Sequence, residues 1–464
     1  MSLLIYNAVI GKEDYEWLLI EGDKISKLGK DNPPSAARKI DARGGYVVPG
    51  FCDSHAHLIN IAIMHEYLDL TGKSRREVFN MAERECEKRK IIIGRGWDES
   101  FWEEKRYITR EELDDVCSKP VLLIREDGHV GVANTAMLKK MDVWNDEGVL
   151  KENLLEKILK RLKIGDSLNF EYAQNYALSK GITCVHDFAN IDTLKKYMEM
   201  HRRGELKIRI FASFYGSAYQ IIKKLGLYSG YGNSYLRIGA LKLFADGSIG
   251  AETAATRYID GKVVKPLLRA KKLKNILKDA NSRGIKVMTH AIGDTAIDEV
   301  LKAYREYPGN RIEHVELVRE EQLNPLGKME LSMQPNFLKW NAKGGLYYTK
   351  LGEEWLERNN PYRKLIDSGA KLLFGSDCMP MDPLFGIYFA VNSRYPQQRI
   401  EVHEAFKAYT EGSKYMNSLL GEIKEGYLAD LVVLSDDPER VREGVNKIKI
   451  KMTIVNGKLM YTSE

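Results

Sequence analysis

Eight short apolar runs, most of them followed by a helical pattern, limit this chain to very few folds. They fall at residues 47–51, 182–185, 208–214, 238–244, 285–289, 311–315, 330–333 and 372–375. Short apolar runs read as buried strands, and strand-then-helix repeated eight times predicts an α/β fold of the (β/α)8 TIM-barrel type. Active sites of such barrels are assembled at the C-terminal ends of the strands, so polar residues at those ends carry the functional argument.

The ends of the chain have a different texture. Residues 3–29 alternate apolar and polar positions around Glu21-Gly22-Asp23, and residues 430–461 repeat that pattern around Asn456-Gly457. Both read as strand, turn and strand. We expect 1–46 and 423–464 to form one small β-sandwich domain, and 47–422 to form the barrel. The gap between the first two barrel strands is too long for a structureless loop, which predicts an inserted subdomain over 70–165.

The 71 basic and 65 acidic residues leave a net charge of +6. They are interleaved along the chain, as on a solvated surface, and do not suggest a nucleic-acid-binding face. No apolar run approaches the roughly 20 residues needed to span a bilayer. The opening Met1-Ser2-Leu3-Leu4-Ile5 shows no signal-peptide pattern, so a cytoplasmic location is expected. The five cysteines, Cys52, Cys86, Cys117, Cys184 and Cys378, form an odd set without a C-x-x-C pair. This argues against a disulfide framework and against a thiolate zinc site, leaving buried or incidental thiols.

In His55-Ala56-His57 an apolar strand ends in two histidines one residue apart. Strand alternation puts both imidazoles on one face, where they can hold a divalent metal. Two more of the nine histidines, His290 and His314, close the fifth and sixth strands, as a second metal would need, and Asp377 closes the eighth. Lys242 interrupts the apolar fourth strand. A buried lysine kept neutral can add carbon dioxide, giving a carbamate that bridges two cations; an ion pair with Asp246 or a Schiff base with substrate are the other readings. Trp97 and His129, in the insertion, are candidate substrate contacts. His186 ends the second strand facing the mouth, while His65, His201 and His403 lie in charged helical surroundings and receive no role.

The order H-x-H, Lys, His, His, Asp on strands one, four, five, six and eight resembles the amidohydrolase superfamily. Gly94 to Asp98, Gly128 to Asn134, Lys242 to Ser248, Gln334-Pro335, Gly375-Ser376-Asp377 and Tyr427 to Leu434 are similar to its YtcJ-like branch, the amidohydrolase 3 family. This resemblance implies that His55, His57 and Asp377 hold one metal, that His290 and His314 hold a second, and that carboxylated Lys242 bridges them. Zinc is the common family metal, though imidazole and carboxylate donors also accept manganese, iron or nickel. Two positions depart from the pattern near the expected substrate: Glu252, where many relatives carry Arg, and Phe337, where many carry His. The expected activity is metal-dependent hydrolysis of a C–N bond (amide, N-formyl or cyclic amide) in a small molecule, with Asp377 shuttling the proton. An isomerase or decarboxylase on the same scaffold, or a catalytically silent scaffold protein, are the alternatives, and a homodimer is expected by analogy.

Overall fold

The computed structural model describes residues 2–11, 15–64, 66–162 and 168–463. At its centre eight parallel strands follow one another in chain order: Phe51–Ala56, Ile182–Ala189, Arg209–Tyr215, Leu236–Phe244, Val287–Ala291, Arg311–His314, Glu330–Met333 and Lys371–Phe374. This is the TIM barrel expected from the repeats. Where the eighth strand meets the first, Asp377 donates its backbone N–H to the carbonyl of His55 at 2.8 Å. A Cβ at Gly375 would lie 2.3 Å from the His55 nitrogen, so only glycine lets the seam draw this close.

The helix Ile191–Arg203 shows how the outer layer is made. Asn190 accepts the Thr193 N–H as its cap, Leu194, Tyr197 and Met200 are buried at helical spacing, and Gly204 ends the helix at φ 71°. No helix among the described residues is long and apolar enough to cross a membrane.

The first barrel strand starts later than its sequence suggests. Residues 47–49 end a longer strand, Arg38–Pro49, which pairs with Ser2–Ile10 on one side and Leu431–Leu434 on the other. Gly50 separates that strand from the barrel, and a Cβ there would meet Thr183 Oγ1 at 2.3 Å. Both ends of the chain thus contribute to one seven-stranded sheet, with its own core of Leu3, Ile5, Leu18, Ile20, Val47 and Val433. A buried ion pair, Arg209 Nε to Asp430 Oδ2 at 2.7 Å, fixes this β-domain to the third barrel strand.

Between barrel strands one and two the chain builds a five-stranded sheet from Leu68–Asp69, Ile92–Trp97, Val121–Arg125, Val130–Ala133 and Val149–Lys151. Helices Arg75–Lys88 and Arg110–Val116 cover it, and their ends are joined by a disulfide, Cys86–Cys117. That bond corrects the sequence reading, because an odd count requires only that one cysteine be left over. Cys52, Cys184 and Cys378 remain free. The bonded cysteines are 31 residues apart, and closing such a loop contributes about 3–4 kcal/mol in the chain-entropy account. Reduction, or Cys117→Ala, is expected to lower the stability of the insert by that order, read as earlier urea unfolding with reductant than without.

Candidate metal centre

Six polar side chains leave the ends of five barrel strands. His55 is in the last turn of strand one and His57 just beyond it; Lys242 is near the end of strand four, His290 in strand five, His314 at the end of strand six and Asp377 after strand eight. All six line one cavity of about 920 Å³. The backbone that presents them is strained. His314, Val315, Asp377 and Cys378 have φ of 73°, 53°, 53° and 59°, a region costing a non-glycine residue on the order of 1–3 kcal/mol. Local bonds hold it: Val315 N–H donates to Ala291 O at 3.1 Å, and the buried Asp53 carboxylate accepts Ser376 N–H at 2.9 Å.

The ring nitrogens are already sorted into donors and free lone pairs. His55 Nδ1–H donates to Glu313 Oε2 at 2.6 Å, which leaves Nε2 facing Asp377 Oδ1 at 4.0 Å. His57 Nε2 lies 3.2 Å from the same Asp377 oxygen. His290 Nε2 is 3.0 Å from the Gly247 carbonyl; a carbonyl only accepts, so this nitrogen carries the proton and Nδ1 keeps its lone pair. His314 Nδ1 is buried without a hydrogen-bond partner. Ligand atoms of His55, His314 and Asp377 all lie within 4.8 Å of one another, and the His290 and His314 ring centres are 4.4 Å apart.

Lys242 is 2% exposed, and its Nζ makes no hydrogen bond among the described residues. It sits over the Phe188 ring, 4.1 Å from the centroid. The ion pair with Asp246 does not form, because that carboxylate is used by the backbone N–H groups of Ala255, Ile292 and Gly293 at 2.7–3.0 Å. Burial lowers Lys242 to about 8 against the pull of Glu313 and Asp377. Burial, then the charge of Lys242, lowers His55 to about 4 and His290 to about 3; His314 is lowered well below its ordinary value, chiefly by burial. Burial opposes the charge on Asp377, yet His55, His57 and Lys242 hold it well below the usual carboxylate range. Neutral imidazoles, an ionised carboxylate and an orphaned amine make a donor set that suits divalent metals.

The insert supplies the opposite wall of the cavity through Arg95, Asp127, His129 and Glu152. His129 Nδ1 pairs with Glu152 Oε2 at 3.0 Å. Burial works against its charge, but Glu152 and Asp127 outweigh it and raise the imidazole to about 9. Because the folded value is raised, the stability contributed by this group is complete below the unfolded value near 6.5 and is lost as pH rises through about 9. With screening by the open cavity the effect is on the order of 1 kcal/mol. Wild-type melting temperature is expected to drop more between pH 7 and 9.5 than that of His129→Gln.

Trp97 is not where the sequence suggested. Its ring is fully buried in the core of the insert, stacked on Trp102 with centroids 5.6 Å apart, and it does not line the cavity. A β-bulge between Arg95 and Trp97, with Gly96 at φ 107°, turns the two side chains apart. His186 does not face the mouth either: it accepts from Arg311 Nη1 at 2.7 Å and donates to Gly412 O at 3.0 Å. Phe337 lines the cavity, whereas Glu252 is paired with Lys350 and Lys262 away from its lining. His403 is on the surface, and His65 lies outside the described residues. Sequence reasoning missed Glu313, the partner of His55, although the charged pair Arg311 and Glu313 interrupting an apolar strand was a usable sign; Arg311 Nε donates to Glu313 at 2.6 Å.

Comparison with known proteins identifies the family. The amidohydrolase family matches residues 38–461. A putative amidohydrolase, YtcJ of Bacillus subtilis, is 28% identical over 91% of this chain and 90% of its own length. The N-substituted formamide deformylase of Arthrobacter pascens is 26% identical over 99% of this chain and 98% of its own. The crystal structure of an uncharacterized metal-dependent hydrolase from Pyrococcus horikoshii superposes with a TM-score of 0.78 at 29% identity, covering 96% of this chain and 99% of that one.

Proposed function

The chain belongs to the amidohydrolase family, and from that premise we propose that it hydrolyses a carbon–nitrogen bond in a small amide, N-formyl amine or cyclic amide. The observation that carries the reading is the Lys242 amine, buried without a partner among four histidines and an aspartate. An amine held uncharged adds carbon dioxide with loss of a proton, and the carbamate is a bidentate anion. On this reading His55, His57 and Asp377 hold one divalent ion, His290 and His314 hold another, and modified Lys242 joins them. Zinc best suits so many imidazoles.

A divalent metal bound there supplies Lewis acidity toward the substrate carbonyl and toward water. Glu313 and the Gly247 carbonyl orient His55 and His290 through their second nitrogens. Asp377 accepts the proton of the attacking water and returns it to the departing nitrogen. The Arthrobacter pascens relative, a deformylase by name, supports including N-formyl amines in the substrate class.

The test is metal analysis of protein purified without an affinity tag, followed by an amine-release screen over N-acyl, N-formyl and cyclic amides. Bound divalent metal and metal-dependent amine release are expected. Protein that remains inert on the whole panel after reconstitution with zinc, manganese, iron and nickel overturns the reading.

A further inference from the structure

The insert wall of the cavity carries an arginine with no counter-ion among the described residues. Arg95 is half-buried and lines the cavity, but its guanidinium makes no hydrogen bond or ion pair among the described residues. The fully buried arginines, by contrast, are all matched: Arg125 by Asp98, Glu99 and Asp127, Arg209 by Asp430, and Arg311 by Glu313. Beside Arg95 stands Tyr67, which is 8% exposed and lines the same cavity; its hydroxyl is buried without a hydrogen-bond partner among the described residues. Room for the guanidinium is made by Gly128, at φ 74°, where a Cβ would sit 3.0 Å from Arg95 Nη2. Ile63, Ile124 and Leu155 complete an apolar surround. The carboxylates on the same wall, Asp127 and Glu152, are taken by Arg125 and His129, so a planar cation and a hydroxyl donor, both unused among the described residues, make a ready site for an oxyanion, since a guanidinium binds a carboxylate or phosphate through two parallel hydrogen bonds.

We propose that Arg95 and Tyr67 form a substrate subsite for an anionic oxyacid group, and that the natural substrate is therefore an amide bearing a carboxylate or phosphate away from the scissile bond. The proposal rests on the amide-hydrolase reading for its reaction, but its binding half stands independently. Apolar walls add the contact surface of the chain that joins the anion to the amide. The anion is held by the insert while the amide meets the ligands on the barrel.

Two measurements test this. In the first, metal-loaded enzyme is given matched N-formyl amines ending in a methyl ester, a carboxylate or a phosphate. The wild type is expected to prefer one anionic member over the ester by at least about tenfold in kcat/KM, the choice between carboxylate and phosphate naming the source. In Arg95→Gln the anion-to-ester ratio is expected to fall toward one, with a smaller fall in Tyr67→Phe. Equal use of ester and anions by the wild type, or equal losses on both in Arg95→Gln, overturns the subsite. In the second, 4-phenylbutyrate and phenyl phosphate are titrated calorimetrically into metal-free protein, where no metal competes for the anion. At least one should bind, at least about tenfold more weakly to Arg95→Gln, with far-ultraviolet circular dichroism unchanged. Failure of both probes to bind overturns the subsite even if amides are cleaved. Binding that depends on Arg95 without any amine release leaves the subsite standing and removes the amide reading.

Discussion

Asp377→Asn protein is expected to keep most of its metal and to lose turnover by about 10²–10⁴-fold, the range associated with a positioned general acid–base group. The substitution preserves size and one ligand oxygen but removes the basic oxygen needed to hold a proton between water and the leaving nitrogen. The fold should tolerate it, because the backbone N–H of residue 377, not its side chain, closes the barrel seam against His55. Metal analysis and single-turnover amine release on one preparation separate the two effects. Near-wild-type turnover in metal-replete Asp377→Asn protein would remove the aspartate from the proton path.

Lys242 gives the second large effect, and replacing its amine by a methionine side chain should move activity and metal-free stability in opposite directions. Lys242→Ala is expected to lose metal and with it activity by about 10³-fold or more, since no carbamate can form. Lys242→Met should do the same to activity, yet should make the metal-free fold more stable by about 1–3 kcal/mol, because it removes a buried amine that has no partner. Native mass spectrometry in bicarbonate should find the metal-loaded wild type heavier by the mass of one carbon dioxide. A bare amine in fully metal-loaded, active protein contradicts the bridge, and metal retained by Lys242→Ala contradicts the ligand.

The barrel and the ligand candidates were legible because both depend on short-range pattern. A strand buried on both faces needs a continuous apolar run, so a histidine, lysine or aspartate at its end stands out. The errors came where distant contacts decide. Residues 47–51 read as one run, and the sequence does not reveal that Gly50 passes the chain from one sheet to another. Cys86 and Cys117 pair only because two helices of the insert place their ends together. Trp97 and Arg95 would share a face under regular alternation, and the sequence does not reveal the bulge at Gly96 that sends the tryptophan into the core and leaves the arginine on the cavity. Glu313 escaped notice because its value lies in its contact with His55, 258 residues away in sequence.

The layout of the insert also bears on how such proteins diversify. One uninterrupted stretch of chain, residues 68–161, lies between the first two barrel strands and carries Arg95, His129 and Glu152 but none of the six ligand candidates. If Arg95 selects the substrate, exchanging this stretch for the corresponding one of a relative is expected to carry selectivity across while the ligand candidates stay with the host barrel.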